Sequence, residues 1–119
     1  NPLRGVHWIE CDLLHFEPER RYDLWHDRAL FHFMTGERQR AAYRRILDKA
    51  VAPGGHVIIA TFAIDGPEQC SGLPVRRYDA DAVREEFGDG YRLESEQPES
   101  HLTPGGTVQK FTYFRLRRL

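Results

Sequence analysis

The apolar positions of this chain follow two periods, one typical of strands and one typical of a helix. Residues 6–11 and 57–62 are apolar on both alternating faces, as expected of buried parallel strands. Between them, one apolar stripe recurs at intervals of three and four residues: Tyr43, Ile46, Leu47 and Ala50. This stripe predicts an amphipathic helix over residues 37–51. With the short strand-like segment at 22–26 before it and the strand at 57–62 after it, the helix predicts a parallel β-α-β crossover.

Cap and turn residues predict where the neighbouring elements begin and end. Residues 22–26 are typical of a second short strand, and residues 29–34 of a helical turn. Thr35 is the candidate N-cap of the amphipathic helix. Pro53 cannot continue that helix, and Gly54 or Gly55 can take the positive φ that reverses the chain.

The downstream third of the chain indicates a loop, a short helix and a strand pair. Gly and Pro punctuate a long loop over residues 63–77, after which Asp79 is placed to cap a helix. Residues 91–97 and 108–116 then predict two strands, joined by the Pro-Gly-Gly turn at 104–106. Taken together, the elements predict an α/β fold that ends in an antiparallel pair.

Composition restricts the class of protein. A length of 119 residues is that of one domain, and 17 basic against 18 acidic residues give a net charge of −1. Charge balance and the lack of a basic stripe argue against a nucleic-acid binder. No apolar run approaches the roughly 20 residues of a membrane span, and two unpatterned cysteines favour a reducing cytoplasm. The chain begins with Asn1 and Pro2 rather than Met, so we expect it to be processed or cut from a longer polypeptide.

Polar side chains follow each predicted parallel strand. Asp12 comes directly after the first strand, the group His26, Asp27 and Arg28 leaves the second, and Thr61 ends the third. Parallel strands present their carboxyl ends at one edge of a sheet, where open α/β folds bind ligands. Each residue also has a structural interpretation: Asp12 as a turn cap, and Arg28 in an ion pair with a nearby aspartate. Adjacent strand side chains point to opposite faces, so His26 and Asp27 make a poor catalytic dyad.

Other chemistries find little support in the sequence. No His-x-x-x-His or Cys-x-x-Cys pair is present, so we predict no metal site. No Gly-x-Ser-x-Gly elbow and no Gly-x-Gly phosphate loop occur either. The arginines of the amphipathic helix, at 38, 40, 44 and 45, are expected to form a solvated face.

Three segments resemble class I S-adenosylmethionine-dependent methyltransferases, in particular the small-molecule branch that is thiopurine-methyltransferase-like. They are Trp8-Ile9-Glu10-Cys11-Asp12, the block from Tyr22 to Phe33 containing Trp-His-Asp-Arg-Ala, and the segment Ala52-Pro53-Gly54-Gly55 to Phe62. The resemblance spans nearly the whole chain. It implies a three-layer Rossmann-like methyltransferase sheet in a single partial domain, residues 1–119.

The resemblance also implies roles for particular residues. Asp12 and Leu13 match the positions that meet the adenine of S-adenosylmethionine. His26, Asp27 and Arg28 match the block that borders the methionine part of the cofactor and a small-molecule methyl acceptor, and His26 and Asp27 are the candidate catalytic pair. Methyl transfer depends mainly on alignment of nucleophile and sulfonium, so proximity can supply much of the catalysis.

The family's first two strands and its Gly-rich cofactor loop have no counterpart before Val6. The resemblance implies a sheet order of 3-2-1-4-5-7-6, of which this chain would supply family strands 3 to 7. Family strand 3 would lose strands 2 and 1, which join it to the rest of the sheet, and an unpaired edge is a pairing hazard. We therefore expect that strand to move beside family strand 4 or to pair with another copy of the chain, giving a homodimer through an exposed sheet edge.

Two functions remain open. The first is a small-molecule methyltransferase fragment with weak cofactor binding and little or no activity alone. The second is a non-catalytic, self-associating interaction module derived from a methyltransferase. An upstream Asp/Glu-x-Gly-x-Gly-x-Gly turn would favour the first.

Overall fold

The computed structural model describes residues 20–28, 30–70 and 73–119. A 3₁₀ turn at Phe31–Phe33 and another at Gly88–Gly90 accompany the longer elements. In chain order these elements are β1 (Tyr22–Arg28), α1 (Glu37–Ala50), β2 (Val51–Phe62), β3 (Gln69–Cys70), β4 (Leu73–Pro74), α2 (Ala80–Phe87), β5 (Tyr91–Leu102) and β6 (Val108–Arg118).

Four strands form one mixed sheet in the order β1-β2-β6-β5. β1 and β2 are parallel, as the β-α-β pattern predicts, and β6 is antiparallel to both β2 and β5. This is the order that the resemblance implies for family strands 4, 5, 7 and 6. β1 and β5 each have one neighbour within the described sheet.

α1 forms where the apolar stripe predicts it, and its stripe is buried. The N-cap is Gly36 rather than Thr35, so the prediction of a threonine cap was wrong. The side chain of Gln39 replaces it, because Gln39 Oε1 accepts a hydrogen bond from the Gly36 N–H at 3.1 Å. The helix ends at Ala50 and β2 begins at Val51, so the predicted turn at 53–55 lies inside this longer strand, where the pairing with β1 shifts register. Gly54 has a positive φ of 85°.

The two helices pack on one face of the sheet and share a single core. The buried side chains that join them to the sheet come from both helices and the central strands: Tyr43, Leu47, Val57, Ile59, Val83, Phe87, Phe114 and Leu116. A smaller cluster of Ala60, Phe62 and Phe111 lies on the opposite face. Because the described helices cover one face, the third layer stays a prediction.

An ion-pair network joins α1 to α2 and corrects one expectation. Arg40 was expected to be solvated, yet it is only 7% exposed. Its Nε lies 3.0 Å from Glu86 Oε1, and Arg44 Nη1 lies 2.8 Å from the same oxygen. Arg40 also donates to the carbonyl of Thr35 at 2.7 Å. The Glu86 carboxylate on α2 thus compensates the charge of a buried guanidinium on α1.

The C-terminal half follows the predicted order with longer strands. Asp79 caps α2, since its Oδ1 accepts from the Ala82 N–H at 2.9 Å. β5 and β6 extend beyond the predicted ranges into a long hairpin. The predicted loop 63–77 contains the short pair β3 and β4. The predicted strand at 6–11 and its orphan edge lie outside the described residues.

Candidate functional site

The polar block after β1 and the end of β2 lie at the same edge of the sheet. In the parallel register Asp27 is opposite Ile59 and Arg28 is opposite Ala60, so Thr61 continues just past the end of β1. The structure thus brings His26, Asp27, Arg28 and Thr61 to the ends of two neighbouring strands. Asp12 and Leu13 lie outside the described residues, and their assignment stays a prediction.

Asp27 is a buried cap for the turn that follows β1. Its Oδ1 accepts from the Leu30 N–H at 2.9 Å, and its Oδ2 accepts from the Phe31 N–H at 3.0 Å. The Tyr43 hydroxyl of α1 donates to Oδ2 at 2.5 Å and itself accepts from Trp25 Nε1 at 2.9 Å. A chain of hydrogen bonds therefore runs from β1 through α1 into the 3₁₀ turn.

Burial dominates the protonation of this pair. Desolvation raises the pKa of Asp27 above its usual value, although the hydrogen bonds from Tyr43, Leu30 and Phe31 and the charge of His26 oppose it. Burial and the neighbouring carboxylate raise the pKa of the Tyr43 hydroxyl well above 10. The hydroxyl thus stays a hydrogen-bond donor to Asp27 at physiological pH.

His26 and Arg28 lie on the other face of β1 and are exposed. The Arg28 guanidinium lies over the Phe111 ring, with Cζ 5.7 Å from the ring centroid. The structural interpretation of Arg28 was an ion pair with a nearby aspartate. Arg28 forms no such pair with Asp23 or Asp27. His26 and Asp27 point to opposite faces, as strand geometry predicts.

Thr61 and Phe62 are fully buried at the end of β2. The Thr61 hydroxyl donates to the carbonyl of Phe62 at 3.1 Å. The Phe62 ring packs at a steep angle to Phe111, with centroids 4.8 Å apart. Phe62 is therefore a core residue.

Sequence reasoning missed His32 as a residue of this edge. His32 is fully buried, and its Nδ1 accepts from the Phe62 N–H at 3.1 Å. Its place inside the family-like block, six residues after His26, is the signal that could have drawn attention to it.

Tyr78, which follows the loop, is also buried, and desolvation raises the pKa of its hydroxyl to about 12.

Metal clusters and membrane-spanning helices are absent from the described parts of the chain. No group of three or more His, Cys, Asp or Glu side chains there could hold a metal ion. No described helix has both the length and the apolar character to cross a bilayer.

Comparison with solved structures identifies the fold. An S-adenosylmethionine-dependent methyltransferase from Methanosarcina mazei matches with a TM-score of 0.68 and 7% identity over 91% of this chain and 65% of its own. The N-methyltransferase NodS from Bradyrhizobium japonicum matches with a TM-score of 0.68 and 15% identity over 93% and 58%. The sequence itself matches no family model and no curated protein.

A third match is the 1,6-didemethyltoxoflavin-N1-methyltransferase of Burkholderia thailandensis, whose structure holds bound 1,6-didemethyltoxoflavin and S-adenosylhomocysteine. Its TM-score is 0.70, with 16% identity over 92% of this chain and 49% of that protein. The described chain therefore has the α/β fold of S-adenosylmethionine-dependent methyltransferases. It spans about half to two-thirds of the length of these three proteins.

Proposed function

We propose that this chain is the C-terminal portion of an S-adenosylmethionine-dependent methyltransferase that acts on a small molecule. The observation that carries the proposal is the methyltransferase fold over more than 90% of the chain, with the block 26–28 at the edge where β1 and β2 end. The thiopurine-methyltransferase-like branch remains part of this proposal, as does a cytoplasmic location.

The side chains at this edge suit different tasks. The exposed guanidinium of Arg28 can form a bidentate pair with the carboxylate of the cofactor's methionine part. His26 is exposed and able to accept a proton from a methyl acceptor, whereas Asp27 already receives three hydrogen bonds. We assign Asp27 to holding the 3₁₀ turn in place. Asp12 and Leu13 are proposed to meet the adenine.

The cofactor itself supplies the methyl group and its sulfonium leaving group. The chain's contribution is to bind and orient, because methyl transfer gains most from alignment of the reacting atoms. With no Gly-rich loop in the sequence, we expect weak cofactor binding by the 119-residue chain and little or no turnover.

We also propose that the chain forms a homodimer through the β1 edge of the sheet. Among the described strands, β1 has β2 as its single neighbour and carries an exposed Leu24. The opposite edge strand, β5, carries Glu94, Glu96 and Glu99 as well as Pro98, which disfavour strand addition. Self-association without cofactor binding is the second candidate, the non-catalytic interaction module.

Titration of the isotope-labelled 119-residue chain with S-adenosylhomocysteine, followed by NMR, tests the proposal. We expect weak, saturable shifts, with the dissociation constant raised about tenfold by Arg28→Ala, because a charge-assisted pair contributes roughly 1.5 kcal/mol. Arg38→Ala, an exposed arginine on α1, is the matched control and should bind like the wild type. Absence of any shift, together with a dimer in sedimentation, would favour the interaction module instead.

A further inference from the structure

The 3₁₀ turn after β1 contributes one side chain that reaches the end of β2. His32 Nδ1 accepts from the Phe62 N–H at 3.1 Å, so the neutral imidazole carries its proton on Nε2. The ring also packs edge-on against Phe33 and Phe62, with centroids 4.7 and 4.8 Å away. The hydrogen bond to Nδ1 and the packing of the imidazole ring together fix Phe62, the last residue of β2, relative to the turn.

The backbone around His32 holds a third segment. Its carbonyl oxygen accepts from the Arg76 N–H at 2.7 Å, and the carbonyl of Phe62 accepts from the Tyr78 N–H at 3.3 Å. The turn after β1, the end of β2 and the chain returning from loop 63–77 therefore meet at one buried residue. Asp27 fixes the other side of the same turn through the N–H groups of Leu30 and Phe31.

We propose that His32 is a positioning residue for cofactor and acceptor binding at this edge, an inference that rests on the proposed function. The Phe62 N–H is buried, so removal of Nδ1 leaves it without its acceptor. The end of β2 and residues 76–78 must then move to find another partner or water. His32 touches no reacting atom in this scheme and acts through the geometry of the three segments.

Two substitutions separate the acceptor from the ring. His32→Asn keeps an acceptor, because the Asn amide oxygen can take the place of Nδ1. His32→Phe keeps an aromatic ring and removes the acceptor. His101→Phe, at an exposed position on β5, is the control for a generic histidine loss.

The experiment measures S-adenosylhomocysteine affinity by NMR titration for these chains, beside their urea unfolding. We expect His32→Asn to bind within about threefold of the wild type and His32→Phe about tenfold more weakly, as loss of one buried hydrogen bond implies. Wild-type affinity in His32→Phe would overturn the proposal. Equal loss of affinity in both variants, each with wild-type stability, would overturn it as well.

A second readout does not depend on cofactor binding. In the ¹⁵N-labelled wild type, a trans-hydrogen-bond coupling between the Phe62 amide nitrogen and His32 Nδ1 is expected, and its absence would contradict the proposal. If the wild type binds no S-adenosylhomocysteine, the proposed function fails. The positioning role is then judged by amide exchange of Phe62 and Arg76, which His32→Phe should accelerate and His32→Asn should not. If His32→Phe does not fold, the coupling and the affinity of His32→Asn decide.

Discussion

Polar side chains form hydrogen bonds with the ends of helices at both ends of the β1–β2 strand pair. The side chains at the two ends of this pair differ in burial. Where the strands end, Asp27 accepts from the first N–H groups of the 3₁₀ turn at a position only 5% exposed. Where they begin, Arg21 and Arg118 donate to the carbonyl oxygens of Asp48 and Val51 at the end of α1. Both arrangements supply partners that a helix end lacks.

The difference in solvent access sets the energetic consequence. If Arg118 is removed, Arg21 remains and water can reach the exposed carbonyl of Asp48. If Asp27 is removed, two N–H groups and a tyrosine hydroxyl lose their partner inside the protein. An unsatisfied buried donor costs about 1–3 kcal/mol, whereas an exposed one is resolvated. The buried group should therefore control stability at the candidate site.

Asp27→Ala tests the comparison with the largest expected effect. We expect a loss of about 3 kcal/mol in the free energy of unfolding, because three donors lose their shared acceptor. Urea denaturation followed by circular dichroism measures it. Asp23→Ala, an exposed aspartate on the same strand, should change stability by less than about 0.5 kcal/mol. Similar losses in the two variants would refute the distinction.

A matched pair of tyrosines compares the two ends directly. Tyr43 donates to Asp27 at 2.5 Å in the core, and Tyr91 donates to Asp48 at 2.7 Å at the exposed end. Tyr43→Phe should cost about 1.5 kcal/mol, since it also removes the acceptor of Trp25 Nε1. Tyr91→Phe should cost roughly 0.5 kcal/mol or less. If urea denaturation shows the same loss in the free energy of unfolding for both variants, burial does not explain the difference between the two ends.

The pH dependence of stability offers a further test at Asp27. Its native pKa lies above the value of 3.8 that applies when unfolded, so the native state binds more protons between these two pKa values. Its contribution to stability is therefore largest in acid, falls as pH rises through that window, and is constant above it. The effect is smaller than that of Asp27→Ala because the hydrogen bonds offset part of the desolvation. The unfolding free energy of wild type minus that of Asp27→Asn, measured from acid to neutral pH, should fall; a rise would contradict the assignment.

A similarly small effect is expected for Arg118, at the same exposed end of the strands as Tyr91. Arg118→Ala should reduce stability by about 0.5 kcal/mol, because Arg21 remains on the same carbonyls and water replaces the lost donor. Differential scanning calorimetry can detect such a change as a small shift in Tm. A loss above that of Tyr43→Phe would reverse the ranking of the two ends.

Local signals in the sequence predicted much of the fold. The apolar stripe of α1, the Asp79 cap and the Pro53-Gly54 stop each depend on residues that are close in sequence, so their spacing alone carries the information. The parallel pairing of β1 and β2 followed from the same pattern. The predicted Thr35 cap was wrong because Gln39 supplies the partner from inside the helix.

Distant contacts account for what the sequence did not predict. Arg40 lies among arginines that the sequence predicts to be solvated, and its burial depends on Glu86, which is 46 positions further along the chain. Phe62 is 30 positions from the imidazole of His32, a separation that gives no local pattern. The catalytic roles of His26 and Asp27 remain predictions. So do the cofactor roles of Asp12, Leu13 and the block His26, Asp27 and Arg28.

The acidic β5 strand with its proline has a consequence for how copies of this chain could assemble. If two chains join through their β1 strands, the contact is two-fold symmetric and leaves neither β1 edge free to pair with a further strand. The remaining outer strands then repel further addition, since each carries Glu94, Glu96 and Glu99. Growth would stop at a closed pair rather than continue into a filament.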